Sequence, residues 1–314
     1  MINKILIFLN NVFENEGYYV KEFSDGLFFG KDKNNNVICA KNNSSKETSF
    51  SLKTKAIELY QNYHFILMTE NEEINGNYDM LILNNTFVDT KKTFVNLCLN
   101  FYNEESDKSI VDLTNDLIEM YKLCAMKSEK TEQGLWGELF TVLYIKNKFN
   151  INIAEYWHND NFNKYDFSLN SSTKLEVKTT KRECREHKFS HEQLYTDYDV
   201  IISSIQMRKD DNGYTILDLY SQVESLFNIK YDLLIRIEKI LVQFDVNALE
   251  KYDFEYAGNN IQFFLNKYVP HIPVSEPNGI HGTEYTVVLE GQESLREETV
   301  KMLLDRSIYE RKMD

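Results

Sequence analysis

Tyr165–Thr180, Y-D-F-S-L-N-S-S-T-K-L-E-V-K-T-T, is the stretch from which the rest of the chain is read. Phe167 and Leu169 alternate with polar neighbours, as do Leu175 and Val177, and Asn170-Ser171-Ser172 between them is turn chemistry. The pattern predicts two short strands joined as a hairpin. Side chains two apart on a strand face the same way, so Glu176 and Lys178 point together, away from Leu175 and Val177. Closing the hairpin places Asp166 beside Glu176. Two carboxylates and one ammonium then converge at a sheet edge.

Neighbouring carboxylates repel, and one pKa rises unless a cation shares the site. Mg²⁺ is a hard ion held by one or two carboxylates together with substrate phosphates. A lysine beside it orients an attacking water or stabilises charge developing on phosphorus. The set therefore suits metal-assisted phosphodiester hydrolysis, with Mg²⁺ the expected ion and Mn²⁺ a substitute. D-x9-E-x-K also arises by chance, and an exposed strand face with an ordinary Glu–Lys pair is the competing reading.

Upstream, Gly134-Leu135-Trp136-Gly137-Glu138-Leu139-Phe140 opens a helical pattern. Leu135, Leu139, Val142 and Leu143 share one face, with Glu138 among them. A carboxylate on an apolar stripe is costly unless it finds a cation or hydrogen-bond donors. A Glu at the exposed border of the stripe is the plainer alternative. Gly134 and Gly137 are expected to let this helix lie close against a sheet.

Glu138 on a helix, then Asp166, then Glu176-Val177-Lys178 in a hairpin, resembles the PD-(D/E)XK nuclease superfamily, whose core runs helix, three strands, helix, strand. G-x-W-G-E-L, E-V-K-T-T and His187-x-Phe189-Ser190-x-Glu192-Gln193-Leu194 further resemble a bacterial branch associated with restriction–modification or phage-defence operons. These motifs cover residues 134–206. The resemblance implies an α/β fold (α+β overall) with a restriction-endonuclease-like core, a mixed central sheet flanked by helices. It implies Asp166 and Glu176 as metal ligands, Lys178 as the catalytic lysine and Glu138 as the helix-borne acid. His187, Gln193 and Gln206 take supporting places. Tyr165 stands where the name-giving proline would be.

At 314 residues the chain has room for one large domain or several smaller ones. Three are expected: an N-terminal α+β domain at 1–126 that contacts DNA or a partner, the nuclease core at 127–228, and a C-terminal α+β region at 229–314. Twenty Tyr and twenty Phe accompany a richness in Lys, Asn and Ile that suits an AT-rich coding sequence. The aromatics are therefore not read as a base-stacking surface. Met1–Phe13 has helical apolar spacing interrupted by Asn10-Asn11 and is not read as a signal peptide, and no stretch approaches a membrane span. Cys39, Cys98, Cys124 and Cys184 are scattered without a C-x-x-C, which argues against a cysteine-based zinc site and fits a reducing cytoplasm.

A net charge of −14 is unusual for a DNA-binding chain. It is unevenly spread: residues 1–129 carry 13 basic and 19 acidic side chains, residues 130–210 carry 12 of each, and residues 211–314 carry 10 and 18. Lys181, Arg182, Arg185 and Lys188 follow the hairpin and are the candidate DNA-phosphate contacts, since local cation placement governs phosphate affinity. A solvated loop of mixed charge is the alternative.

Before the core, Tyr18–Phe23, Leu27–Lys31 and Asn36–Ala40 read as strands, Thr48–Lys53 as another, Lys55–Tyr63 as a short helix and Phe65–Thr69 as a strand. Ile110–Leu123 reads as a helix. Asp199–Met207 reads as the third core strand and Thr215–Phe227 as the helix after it. Tyr231 onward opens another helix, Ile261–Tyr268 and Thr283–Leu289 alternate like strands, and Glu293–Ile308 closes the pattern as a helix. His187 and His191, four apart, would share a helical face, but no H-E-x-x-H is present. His158 is a weak candidate, and no phosphate-binding glycine loop occurs.

Together these features predict a Mg²⁺-dependent DNA endonuclease of a restriction or phage-defence system, cytoplasmic, working on DNA with further subunits of that system or as a homodimer, and without membrane contact. The alternatives are a non-catalytic DNA- or protein-docking subunit and a structure-specific repair nuclease.

Overall fold

The computed structural model describes residues 1–12, 17–45, 48–103, 108–123, 131–157, 164–226, 231–245 and 248–311. The first part of the chain forms α1 (Ile2–Asn11), β1 (Tyr18–Ser24), β2 (Leu27–Asp32), β3 (Val37–Asn42), β4 (Phe50–Lys53), β5 (Ile57–Met68) and β6 (Glu73–Leu83). Next come α2 (Lys91–Asn103), α3 (Ile110–Leu123), α4 (Glu132–Phe149), β7 (Phe167–Ser168), β8 (Thr173–Thr180), β9 (Glu186–Ser190) and α5 (His191–Leu194). The remainder is β10 (Asp199–Gln206), β11 (Lys209–Tyr214), α6 (Ile216–Leu226), α7 (Tyr231–Leu241), α8 (Phe254–Asn259), β12 (Ile261–Leu265), β13 (Glu284–Val288) and α9 (Glu297–Arg311). Among the described residues no helix is long and apolar enough to cross a membrane. The chain divides into two compact units, Met1–Lys127 with Lys230–Gln243, and Ser128–Ile229 with Phe244–Asp314.

In the first unit the strands run β1-β2-β3-β6-β5-β4, and a parallel pairing of Tyr18 with Leu67 and Tyr19 with Met68 joins β1 to β5, closing the sheet on itself. Gly30 permits the tight curvature, because a Cβ there would collide with the backbone of Tyr19. Val20, Phe28, Ile38, Ala40, Leu67, Tyr78, Met80 and Ile82 fill one apolar cluster. Lys55–Tyr63, expected as a helix, instead lies almost wholly in the long strand β5. Ile57 and Leu59 are buried two apart, and both edges of this segment are paired, to β4 and β6. Asn62 interrupts it at a register shift with φ 54°, its N–H donating to Asp79 Oδ1 at 2.8 Å. Helix α7 packs against α2 and α3, with Lys239 Nζ 3.2 Å from Asp116 and 2.7 Å from Glu119. The 229–314 segment therefore contributes to both units.

The second unit is built on a sheet of order β12-β10-β8-β7. β8 and β10 are parallel, pairing Glu176 with Ile202 and Lys178 with Ser204, whereas β7 and β12 are antiparallel to their neighbours. Helix α4 starts at Thr131, whose side chain accepts from Gly134 N at 3.1 Å, and ends at Asn150 in a left-handed conformation. It lies on the face of β8 that carries Val177 and Thr179. Gly137 makes that approach possible, since a Cβ would collide with Thr179 Cγ2, while Gly134 serves the helix cap instead of the sheet. Helix α6 packs on α4. Trp136, wholly buried, stacks on Phe140 at 5.1 Å and donates to Tyr214 O at 2.7 Å. The opposite face of the sheet meets the β9–β13 ribbon and α5 through Tyr165, Phe189, Leu194, Val200, Ile202, Phe264, Val269, Val287 and Leu289.

Candidate functional site

The hairpin forms because Asn170 supplies its turn. Asn170 Oδ1 accepts from Ser172 N at 2.9 Å and Thr173 N at 2.6 Å, and Phe167 then pairs with Leu175. Helix α9 latches the turn from outside. Asn170 Nδ2 donates to Ser307 O at 3.2 Å, and Arg311 Nη1 donates to Ser168 O at 2.7 Å. With Phe167 opposite Leu175, Asp166 falls opposite Glu176. Asp166 Oδ2 accepts from Val177 N at 2.8 Å, which fixes the carboxylate against β8.

Glu176, only 4% exposed, receives two donors on one oxygen. Lys178 Nζ lies 2.8 Å from Glu176 Oε1, and Gln193 Nε2 donates to the same atom at 2.7 Å. Its other oxygen, Oε2, is buried with no hydrogen-bond partner. Burial pushes the Glu176 carboxyl up to about 7, the neighbouring Asp166 charge adds to the rise, and Lys178 and Gln193 oppose it. Phe189 lies beneath the ammonium, its ring centroid 4.9 Å from Lys178 Nζ.

Gln193 sits third in a capping box. Ser190 caps α5, and Gln193 Oε1 accepts from Ser190 N at 3.2 Å. The same carboxamide reaches Lys178 Nζ at 3.4 Å and Lys164 O at 3.1 Å. A local helix cap thus places one amide between the Glu and the Lys of the E-x-K.

Glu138 is buried on α4, as the apolar stripe requires, and Trp157 Nε1 donates to its Oε2 at 2.5 Å. Trp157 stacks on Phe167 and forms a bridge to it, so this pair lies on the α4 side of the sheet, while Glu176 and Lys178 face the other way. His187 and His191 do not share a helical face, because His187 is on strand β9 and His191 begins α5. His187 Nε2 bonds Ser204 Oγ at 2.7 Å, and Ser204 is the register partner of Lys178. Burial, followed by Lys178 and Arg185, pulls His187 down to about 4, so the imidazole is neutral at ordinary pH. His158 lies outside the described residues.

Of the four cations after the hairpin, Arg185 turns inward. It is 3% exposed, and its guanidinium donates to Ser204 O at 2.9 Å and Asn260 O at 2.7 Å. The other three are at the surface, each with a carboxylate: Lys181 with Glu250, Arg182 with Glu186 and Lys188 with Glu284. Gln206 donates to the backbone carbonyls of Arg182 and Glu183, stitching that turn to the end of β10. Trp157 and Ser204 were given no role by the sequence, and nothing local in it marks them; Phe189 appeared there only as a member of the H-x-F-S-x-E-Q-L pattern, without its place under Lys178.

Residues 94–290 match the model of a family described as "Putative PD-(D/E)XK family member, (DUF4420)". The chain belongs to this family. No curated protein and no solved structure matches it. Asp166, Glu176 and Lys178 all fall within the matched span, and the mixed α/β core is restriction-endonuclease-like. Among the described residues no group of three or more His, Cys, Asp or Glu side chains converges to hold an ion. Two carboxylates do converge, which is the protein share that Mg²⁺ commonly takes. The unpartnered, buried Oε2 of Glu176 is the atom such an ion would satisfy.

Proposed function

We propose that this PD-(D/E)XK family member is a divalent-metal-dependent DNA endonuclease. The observation that carries the reading is the set of Asp166, Glu176 and Lys178 on one face of one hairpin, with one buried carboxylate oxygen left over. Asp166 and Glu176 would hold Mg²⁺, or Mn²⁺ in its place. When bound, the ion supplies Lewis-acid polarisation of the phosphate and a more acidic water. Lys178 keeps its ammonium beside Glu176 and over Phe189, where it orients the nucleophile and offsets charge building on the phosphoryl oxygens. Glu138, held by Trp157, backs the hairpin from the α4 side. Lys181, Arg182 and Lys188 offer surface charge to the DNA backbone, with carboxylate partners that phosphates would displace.

The same reading gives the protein a place in a restriction or phage-defence system, in the cytoplasm, acting with other subunits or as a homodimer where both strands are cut. The net charge of −14 favours a second reading, a non-catalytic docking subunit. Incubation of plasmid DNA with Mg²⁺ or Mn²⁺ separates the two. The nuclease reading expects nicking or linearisation that Asp166→Ala and Lys178→Ala each abolish, with circular dichroism unchanged. Cleavage that survives either substitution sinks the mechanism, and branched against linear substrates test a repair role.

A further inference from the structure

Three exposed tyrosines lie on segments tied to the elements that carry Asp166, Glu176 and Lys178. Tyr195 is 42% exposed, Tyr198 41% and Tyr268 63%. They are held in place from below. Tyr195 follows α5 directly and stacks on the buried His191 at 5.1 Å with 12° between planes. Tyr198 meets Tyr165, the residue before Asp166, edge-on at 6.1 Å. The buried Asn266 donates to Leu194 O and Tyr198 O and accepts from Val200 N, tying the turn that carries Tyr268 to the end of α5. Cations accompany two of the rings. Lys174 Nζ lies 5.0 Å from the Tyr198 centroid and Lys267 Nζ 5.7 Å from the Tyr268 centroid.

The placement relates these rings to the reacting groups. Lys174, Glu176 and Lys178 alternate along β8 and share one face. Lys174 is therefore about 7 Å along the strand from Glu176, at roughly 3.3 Å per residue. That is of the order of one extended nucleotide. Charge around the rings nearly cancels, since Lys164 pairs with Glu192 at 2.9 Å and Lys267 with Asp199 at 3.4 Å. A neutral surface of supported aromatic rings attracts base faces more than a phosphate backbone, and bases in an intact duplex present no free face.

Although composition alone gave no base-stacking surface, we infer that Tyr195 and Tyr198, together with Tyr268, form a stacking platform for an unpaired nucleic-acid strand, so that the site acts on single-stranded or frayed substrate. This substrate class rests on the nuclease reading; the binding surface does not. The test uses the full-length protein carrying Lys178→Ala, which stops turnover. Fluorescence anisotropy then compares labelled oligo-dT, oligo-rU, a duplex of equal length and an abasic strand of equal length. Oligo-dT or oligo-rU should bind more tightly than the duplex and the abasic strand, with a shallow dependence on salt. Tyr195→Ala and Tyr198→Ala should each weaken that binding roughly five- to a hundredfold, while Tyr195→Phe and Tyr198→Phe retain it. Tighter binding of oligo-dT than oligo-rU, or the reverse, identifies the sugar and leaves the platform in place. The inference is overturned if abasic and base-bearing strands bind alike, if the Ala variants bind as the parent does, if Phe fails as badly as Ala, or if duplex is preferred. Base-dependent binding by a protein that cleaves no DNA with Mg²⁺ or Mn²⁺ would sink the nuclease reading and spare the platform.

Discussion

The two faces of β8 obey different rules. On one, Val177 and Thr179 lie under α4, packed so closely that Gly137 has no room for a methyl group. On the other, Glu176 and Lys178 are held by hydrogen bonds and an ion pair, and a buried carboxylate oxygen lacks a partner. One face is satisfied by packing density. The other retains unspent polar capacity of a kind that natural folds keep at reactive sites. Under the proposed nuclease reading a single strand separates what holds the unit together from what it does, and substitutions should sort by face.

The largest separation is expected at Lys178. Lys178→Ala should lower cleavage by about a thousandfold or more, as loss of a charge-stabilising group does, while unfolding in the absence of metal moves little. On the packed face, Gly137→Ala should do the reverse. Forcing a methyl against Thr179 should cost about 1–3 kcal/mol in a urea titration, with residual cleavage at saturating metal nearly unchanged. Trp157→Phe keeps the ring on Phe167 but removes the donor to Glu138, and about 1–3 kcal/mol of stability should follow. If that variant loses activity and not stability, Glu138 belongs with the reactive face.

Titration sharpens the same contrast. Because the folded-state pKa of Glu176 is raised from 4.5 to about 7, its protonated form is the one the fold favours. Its contribution is most favourable below about 4.5, falls as pH rises through 7, and is flat above. Metal-free protein should therefore lose melting temperature across that window. Saturating Mg²⁺ should remove the decline by binding the ionised carboxylate, as should Glu176→Gln by deleting the titration. A decline that persists in Glu176→Gln would place its origin elsewhere. The smallest effect is reserved for Gln193→Ala, about tenfold in cleavage, because Lys178 and Glu176 keep each other when the amide is gone.

Much of this is legible in the sequence alone. The hairpin followed from alternation around Asn170-Ser171-Ser172, and α4 from its apolar spacing, because both are set by contacts only a few residues apart. Distant partners were not legible. Arg185 read as a phosphate contact from its neighbours, but its partners are carbonyls at Ser204 and Asn260, the second 75 residues away. Glu138 announced a need for a donor without naming Trp157, 19 residues on. Lys55–Tyr63 read as a helix because its pattern is short, and only pairing on both sides selects the strand.

The latch on the hairpin has a temporal meaning. Asn170 and its acceptor Ser307 lie 137 residues apart. At roughly 5–20 residues per second of synthesis, the ribosome finishes the turn many seconds before it makes the helix that clasps it. Throughout that interval a newborn chain carries Asp166, Glu176 and Lys178 on an unclasped ribbon, so whatever work that face does waits on a helix made long after it.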